Sequence, residues 1–238
     1  DPALGLLAVA DSEGPALYDV ATDPRAPRLA HAFAGVNATT VAFAGGMLLV
    51  GDNTSYEAPR LVGYELATTL SESVPVLGVS IDGMPSALAV SGNFVFVAAI
   101  ASGSLYGGLT AIDLTKQPEV KAAPVRELLS TVSVSDLVLA GTTLYASVEG
   151  SGVRIFQGAE APADMVEAGT IGGRGFNTIA LSATQLYGAT FEWGWDEGIQ
   201  IFGLAEPSAQ PVDTITMQAI TRAFAVGGGH AFLASADQ

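Results

Sequence analysis

The stretch SALAVSGNFVFVAA, residues 86–99, decides the fold, because two alternating apolar runs joined by a Gly-containing turn form the pattern of a β-hairpin. Four more stretches repeat this pattern: TTVAFAGGMLLVGD (39–52), SDLVLAGTTLYASV (135–148), TIALSATQLYGAT (178–190) and RAFAVGGGHAFLASA (222–236). Their turn positions, Gly45, Gly92, Gly141, Ala183 and Gly228, lie 47, 49, 42 and 45 residues apart. A repeat of this length built only from strands predicts an all-β protein, a β-propeller of four-stranded antiparallel blades.

Each repeat also contains a third and a fourth strand, so that its strands can be named A, B, C and D from the centre to the rim. The third strands are PALYDV (15–20), RLVGYEL (60–66), GLTAIDL (108–114), GVRIFQG (152–158) and GIQIFGL (198–204). Connections that usually contain proline lead to the fourth strands, RLAHAF (28–33), VPVLGVSI (74–81), PVRELLS (124–130), MVEAGTI (165–171) and PVDTITM (211–217). Because proline cannot donate to a ladder, these connections are predicted to be turns.

The number of blades follows from how the two ends of the chain are counted. The last hairpin, 222–236, lacks strands C and D, and the chain starts with a strand that resembles B, LGLLAVAD (4–11). Five blades form if the last strand A completes the first blade, which leaves one strand B surplus. Six blades, with part of the ring missing from this chain, is the alternative. Either way, we predict one propeller domain over residues 1–238, standing alone or as a module of a longer exported protein.

Composition excludes several classes of partner. The chain has 24 acidic and 9 basic residues, a net charge of −15, so nucleic acid and anionic membrane surfaces are not expected to bind. No apolar run reaches the roughly 18 residues of a membrane-spanning helix, so direct membrane insertion is not expected either. The chain has no cysteine, which excludes disulfides, thiolate metal sites and a cysteine nucleophile.

Two stretches resemble a known family. ALAVSGNFVFVAA (87–99) followed by GLTAIDLTKQPEV (108–120), and ALYDVATDPRAPRLA (16–30), are similar to the LVIVD repeat of bacterial and archaeal surface propellers. In that repeat a hydrophobic hairpin precedes a Gly-Leu-x-x-x-Asp strand and a proline connection. Glu65 stands where Asp113 does, whereas the fourth and fifth repeats have Gln157 and Gly203 there. The resemblance implies an extracellular, cell-surface or periplasmic propeller, and it supplies no catalytic residues.

The candidate site is the set of loops that join strands B and C, because B–C and D–A loops share one face of a propeller. These loops contain five aromatic residues, which are favoured binding residues for proteins and sugars. The alternative for the two tryptophans is that they cover the core between blades. The candidate binding residues are Tyr56, Tyr106, Phe191, Glu192, Trp193, Trp195, Asp196 and Glu197. The other loop acids, Asp11, Glu13, Asp52, Glu57 and Glu149, are predicted to form a solvated acidic rim.

No catalytic, metal or cofactor site is predicted. The acids lack the spacing of a calcium loop, and the only histidines, His31 on a strand D and His230 at an A–B turn, are expected on opposite faces. Asp136 is the one carboxylate on a strand A, at the central channel or on a solvated rim.

Three functions therefore remain. The first is a non-catalytic module that binds a protein partner, or further domains of the same chain, through the B–C loop face. The second is a propeller that binds a carbohydrate or another small ligand there. The third, ranked last, is a metal-dependent hydrolase or lactonase.

Overall fold

The computed structural model of the chain describes residues 5–11, 13–66, 75–103, 105–115, 126–190, 198–205, 207–208, 210–216, 220–227 and 230–236. The described residues form 21 β-strands and a single 3-10 turn, Pro162–Asp164. None of them belongs to a helix long and apolar enough to cross a membrane. The chain divides into two compact units, Asp1–Val132 and Ser133–Gln238.

The first unit contains three antiparallel sheets in which sequence neighbours are also spatial neighbours. The first sheet has three strands: β1 (Leu6–Val9), β2 (Ala16–Asp19) and β3 (Arg28–Ala32). The second has four: β4 (Ala38–Ala44), β5 (Met47–Asp52), β6 (Arg60–Glu65) and β7 (Pro75–Ser80). The third also has four: β8 (Met84–Ser91), β9 (Phe94–Ile100), β10 (Gly108–Asp113) and β11 (Arg126–Ser130).

The second unit repeats the same arrangement. Its first sheet consists of β12 (Val134–Ala140), β13 (Thr143–Val148), β14 (Gly152–Gln157) and β15 (Val166–Ile171). The next consists of β16 (Thr178–Leu181), β17 (Gln185–Ala189), β18 (Gly198–Gly203) and β19 (Asp213–Thr216). A hairpin, β20 (Ile220–Gly227) and β21 (His230–Ala236), forms the last sheet. The A, B, C and D strands predicted from the repeat are all present.

A recurring backbone hydrogen bond shows which strands correspond from one repeat to the next. The residue after each strand C donates its N–H to the carbonyl just before strand B. Leu66 donates to Gly46 at 2.9 Å, and Val20 donates in the same way to Gly5 at 2.8 Å. Gly5 has a φ of 61°, which suits glycine at a tight turn. β1 is therefore a strand B, as its sequence predicts.

Apolar clusters fill the space between consecutive sheets of each unit. Leu48 and Val50 of the second sheet lie in one cluster with Leu17 of the first. Leu49 and Val97 join the second sheet to the third. In the second unit, Phe176 and Phe202 pack edge to face, with ring centroids 5.8 Å apart, in the cluster that joins its first two sheets. Sheet-on-sheet packing therefore supplies the core of each unit.

Candidate interaction surface

In the first unit the B–C loops and the D–A connections lie at the same end of the sheets, as the repeat predicts. Asp52, the last residue of β5, pairs with Arg60 at the start of β6 and with Ala38 at the start of β4. The loop 53–59 therefore leaves the sheet where the chain enters β4. Asn53 donates its N–H to the carbonyl of Asn37 at 2.9 Å, which ties the two segments together.

The carboxylate of Asp52 organises the B–C loop of the second sheet. One oxygen, Oδ1, accepts hydrogen bonds from the N–H of Thr54 at 2.8 Å and from its hydroxyl at 2.5 Å. The other, Oδ2, accepts one from Nε of Arg60 at 2.8 Å. The Thr54 hydroxyl oxygen also accepts a hydrogen bond from the N–H of Asn37 at 2.8 Å. One carboxylate thus fixes the loop to strand C and, through Thr54, to the segment before strand A.

Burial and hydrogen bonding act in opposite directions on the pKa of Asp52. Burial by itself would raise this pKa, but the hydrogen bonds from Thr54 and Arg60 and the positive charge of Arg60 together bring it below its usual value. Asp52 is consequently a charged, structural residue of the loop. The prediction that it belongs to a solvated rim is wrong, since its exposed fraction is only 1%.

Asn53 is buried beside it, with an exposed fraction of 2%. Among the described residues it is the one whose buried side-chain oxygen, Oδ1, has no hydrogen-bond partner in the protein. The residues that follow, Thr54 to Ala58, are exposed.

Tyr56 and Tyr106 are the predicted binding residues that the structure describes. Tyr56 lies in the loop held by Asp52, and its side chain is largely exposed. Tyr106, in the B–C loop of the third sheet, is also largely exposed. Its N–H donates to Oδ1 of Asp82 at 3.2 Å. The structure therefore places both rings on B–C loops of the same unit, and each loop is tied down by a hydrogen bond to an aspartate.

Close packing of the backbone fixes the loop that carries Tyr106. A Cβ at Gly83, whose φ is 104°, would lie 2.8 Å from the carbonyl oxygen of Tyr106 and 2.7 Å from that of Ile100. Only glycine fits this approach without a shift of the backbone. Ser102 and Leu105 also exchange backbone hydrogen bonds across the loop, at 3.0 and 3.3 Å.

The remaining predicted binding residues lie outside the described residues. They are Phe191, Glu192, Trp193, Trp195, Asp196 and Glu197. The alternative interpretation of the tryptophans as core residues is likewise untested. Of the rim acids, Asp11, Glu13, Glu57 and Glu149 are exposed, as predicted.

Asp136 does not lie on a solvated rim, because its carboxylate is hydrogen-bonded between two sheets. Its Oδ1 accepts a hydrogen bond from the N–H of Leu137 at 2.8 Å, and its Oδ2 accepts one from the N–H of Ile179 at 2.7 Å. Burial raises the pKa of this carboxyl, partly offset by these bonds and by one with the Thr178 side chain. The carboxylate joins β12 to β16, the first strands of two consecutive sheets.

A second bridge between the same two sheets was not predicted. The hydroxyl of Ser147 donates to the carbonyl of Phe176 at 2.7 Å and accepts from its N–H at 2.7 Å. Phe176 lies in the connection that enters β16, and its ring fills the space over Gly188. The one sequence signal for this bridge was the serine itself, which stands among apolar residues on strand B. Strand alternation does not show whether such a serine is buried or faces solvent.

The structure brings no set of metal ligands together within the residues it describes. No group of three or more His, Asp or Glu side chains there could hold an ion. His31 contacts Phe33 edge to face, with ring centroids 4.5 Å apart, and His230 lies near Phe232 in the last hairpin.

Comparison with known proteins identifies the fold. No family model matches the chain, and no curated protein matches it in sequence. Solved structures do. The computationally designed Ika8 protein is 14% identical, with a TM-score of 0.64 over 97% of this chain and 64% of that one. The WD40 domain of Neurospora crassa Pan2 is 13% identical, with a TM-score of 0.63 over 93% and 65%. Kuenenia stuttgartiensis hydrazine synthase is 14% identical, with a TM-score of 0.58 over 76% and 49%.

The chain thus spans about two thirds or less of the length of these structures. Identities this low establish the fold and nothing about activity. Together with the four four-stranded meanders, they show that the chain is an all-β protein with the β-propeller fold, and the six sheets formed by the described residues are consistent with five or six blades.

Proposed function

We propose that this chain is a non-catalytic interaction module that binds a protein partner through its B–C loops. A propeller fold is typical of interaction scaffolds. The observation that carries the proposal is the pair of tyrosines, Tyr56 and Tyr106, exposed on loops that backbone hydrogen bonds hold to nearby aspartates. Exposed aromatic rings on a rigid frame bind with little loss of conformational entropy.

We also propose that the module acts outside the cytoplasm and belongs with the LVIVD-repeat propellers. The acidic residue of that repeat has a structural role here, which supports the assignment. Asp113 accepts hydrogen bonds from both the N–H and the hydroxyl of Thr115, at 2.9 and 2.6 Å, and Asp19 accepts one from the N–H of Ala21 at 2.9 Å. In both repeats the carboxylate closes the turn after strand C. A signal peptide encoded upstream of Asp1 would support export, and a gene that begins without one would contradict it.

The binding proposal is tested by selecting displayed peptides on the immobilised protein. Peptides selected on the native chain should bind at least about tenfold more weakly to Tyr56→Ala or Tyr106→Ala, because truncating a binding aromatic costs about 1.4 kcal/mol or more. Trp193→Ala and Trp195→Ala extend the test to the B–C loop that the sequence predicts around these two residues.

The matched control is Val212→Ala, which truncates an exposed side chain outside the B–C loops. Tyr56→Ala, Tyr106→Ala and Val212→Ala should unfold at the temperature of the native chain, since exposed truncations cost little stability. Peptides that bind the tyrosine and tryptophan variants as tightly as the native chain would contradict the proposal. If a glycan array, and no peptide, gives ligands that depend on these residues, the carbohydrate-binding alternative replaces it.

A further inference from the structure

The two tyrosine loops of the first unit are neighbours, because the second and third sheets touch at the end where these loops leave them. Gly51, near the end of β5, lies so close to β8 that a Cβ there would be 2.7 Å from Cβ of Pro85. Two positions before Pro85, a Cβ at Gly83 would lie 2.8 Å from the carbonyl oxygen of Tyr106. Close backbone contacts thus connect the start of the Tyr56 loop with the Tyr106 loop.

The separation of the two loops suits a few residues of extended chain. Leu49 and Val97 lie in the cluster through which the second and third sheets pack, and sheets packed face to face are about 10 Å apart. An extended chain rises about 3.3 Å per residue. A segment that crosses both loops therefore brings side chains about two to four positions apart to the two tyrosines.

A carboxylate accompanies each tyrosine. Glu57 directly follows Tyr56, and both residues are exposed. Asp82 is exposed in the connection that enters β8, and its Oδ1 accepts the hydrogen bond from the N–H of Tyr106. Because the two oxygens of a carboxylate accept about four hydrogen bonds, Asp82 can hold this loop and still accept a donor from a ligand.

The basic residues of the first unit do not neutralise these two carboxylates. Among its described residues, Arg60 is the one arginine or lysine at the loop end, and its Nε donates to the buried Asp52 at 2.8 Å. The others lie at the opposite end, in or just after the connections that lead to strands D: Arg25, Arg28 and Arg126. The loop end therefore presents exposed rings together with an uncompensated negative charge.

We propose that the partner of this face is an extended protein segment with two arginines about two to four positions apart. One arginine stacks on Tyr56 and pairs with Glu57, and the other stacks on Tyr106 and pairs with Asp82. This inference rests on the proposed binding function and specifies its partner.

The chemistry of the guanidinium group explains why arginine fits this surface. Its planar cation is attracted to the face of an aromatic ring, and its edge donates two parallel N–H bonds to a carboxylate. One arginine side chain therefore uses a ring and a neighbouring carboxylate at the same time. The ammonium group of lysine is compact and strongly hydrated, so it meets this combination less well.

The proposal is tested with peptides that are selected on the immobilised native chain and that lose affinity for Tyr56→Ala or Tyr106→Ala. These peptides should share a pair of arginines at the stated spacing. Replacing either arginine with citrulline, a neutral side chain of the same shape, should weaken binding at least about threefold, and replacing both should weaken it at least about tenfold.

Variants of the protein assign each arginine to its carboxylate. Glu57→Gln and Asp82→Asn each remove one charge, and the amide oxygen at position 82 still accepts the N–H of Tyr106. Each variant should weaken the all-arginine peptide about threefold. It should barely affect one of the two citrulline peptides, because the arginine that pairs with that carboxylate is already absent. Asp23→Asn, an exposed acid at the opposite end of the first unit, is the matched control and should leave every affinity unchanged.

The outcomes separate this inference from the binding function itself. Tyrosine-dependent peptides that lack arginine pairs, or that bind equally well with citrulline, would overturn the inference and leave the binding function standing. Losses that simply add in every combination of protein variant and citrulline peptide would overturn the pairing of the arginines with Glu57 and Asp82. If no peptide depends on either tyrosine, the binding function fails, and this inference fails with it.

Discussion

Two aspartates of this chain show how the surroundings of a carboxylate set its role. Asp52 and Asp136 each accept hydrogen bonds through both oxygens, yet their pKa values move in opposite directions. Asp52 has Arg60 as a charged partner. At Asp136 burial dominates, and the carboxyl is hydrogen-bonded with two backbone N–H groups and with the Thr178 side chain. Charge pairing therefore keeps the first carboxylate ionised, and desolvation disfavours the ionised form of the second.

Replacing Asp52 with asparagine should lower the free energy of unfolding at neutral pH by about 1–2 kcal/mol, because the charged bond to Arg60 is lost. A carboxyl whose pKa is lowered by folding stabilises the protein above its unfolded pKa, and this contribution disappears as the pH falls through the folded pKa. The difference in free energy of unfolding between Asp52→Asn and the native chain should therefore be constant near neutral pH. It should shrink in acid, below the usual aspartate pKa of 3.8.

Urea unfolding at a series of pH values measures this difference. Asp23→Asn is the control, because the exposed Asp23 side chain accepts the N–H of Arg25 and an amide oxygen can accept the same bond. If the difference in free energy of unfolding between Asp52→Asn and the native chain persists unchanged in strong acid, the charge of Asp52 does not have this stabilising role.

At the scale of elements, hydrogen bonds and ring packing join β12–β15 to β16–β19. Ser147 holds the backbone of Phe176 at both its N–H and its carbonyl, and Asp136 binds the N–H of Ile179. The ring of Phe176 is thereby held over β17. Neighbouring sheets of this unit are consequently fixed to each other by polar bonds as well as by apolar area.

Gly188→Ala should destabilise the second unit by about 1–3 kcal/mol, the usual cost of adding a methyl group to a filled core. The new Cβ would lie 2.5 Å from the ring of Phe176, which cannot move away because Ser147 holds its backbone. Gly203→Ala, on the adjacent strand, is the matched control, since a Cβ there meets nothing within 4 Å. Thermal unfolding of the two variants makes the comparison, and equal melting temperatures would contradict this account of Phe176.

At the scale of the whole molecule, the net charge of −15 influences which partners can approach and bind. Asp11, Glu13, Glu57 and Asp82 are exposed at the loop end of the first unit, beside the tyrosines proposed to bind. The field of these carboxylates favours cationic partners and speeds their association.

Peptides selected on the B–C loop face should therefore be rich in Lys and Arg, and their affinity should fall at least about tenfold between 0.1 and 1 M NaCl. The screening length falls from about 10 Å to about 3 Å over that range. Titration by biolayer interferometry measures the change. Glu13→Gln with Glu57→Gln should flatten the salt dependence, and peptides without basic residues that bind equally at all salt concentrations would contradict the electrostatic contribution.

The sequence by itself determined the strands, their order in the sheets and the end at which the B–C loops lie. Alternation and glycine turns are local signals, because the side chains of a strand and the φ of a turn depend on near neighbours in the chain. Only the tertiary structure decided that Asp52 is buried and that Asp136 binds Ile179, 43 positions away. These features depend on which sheet packs against which, and residues that meet across two sheets leave no periodic trace in a single chain.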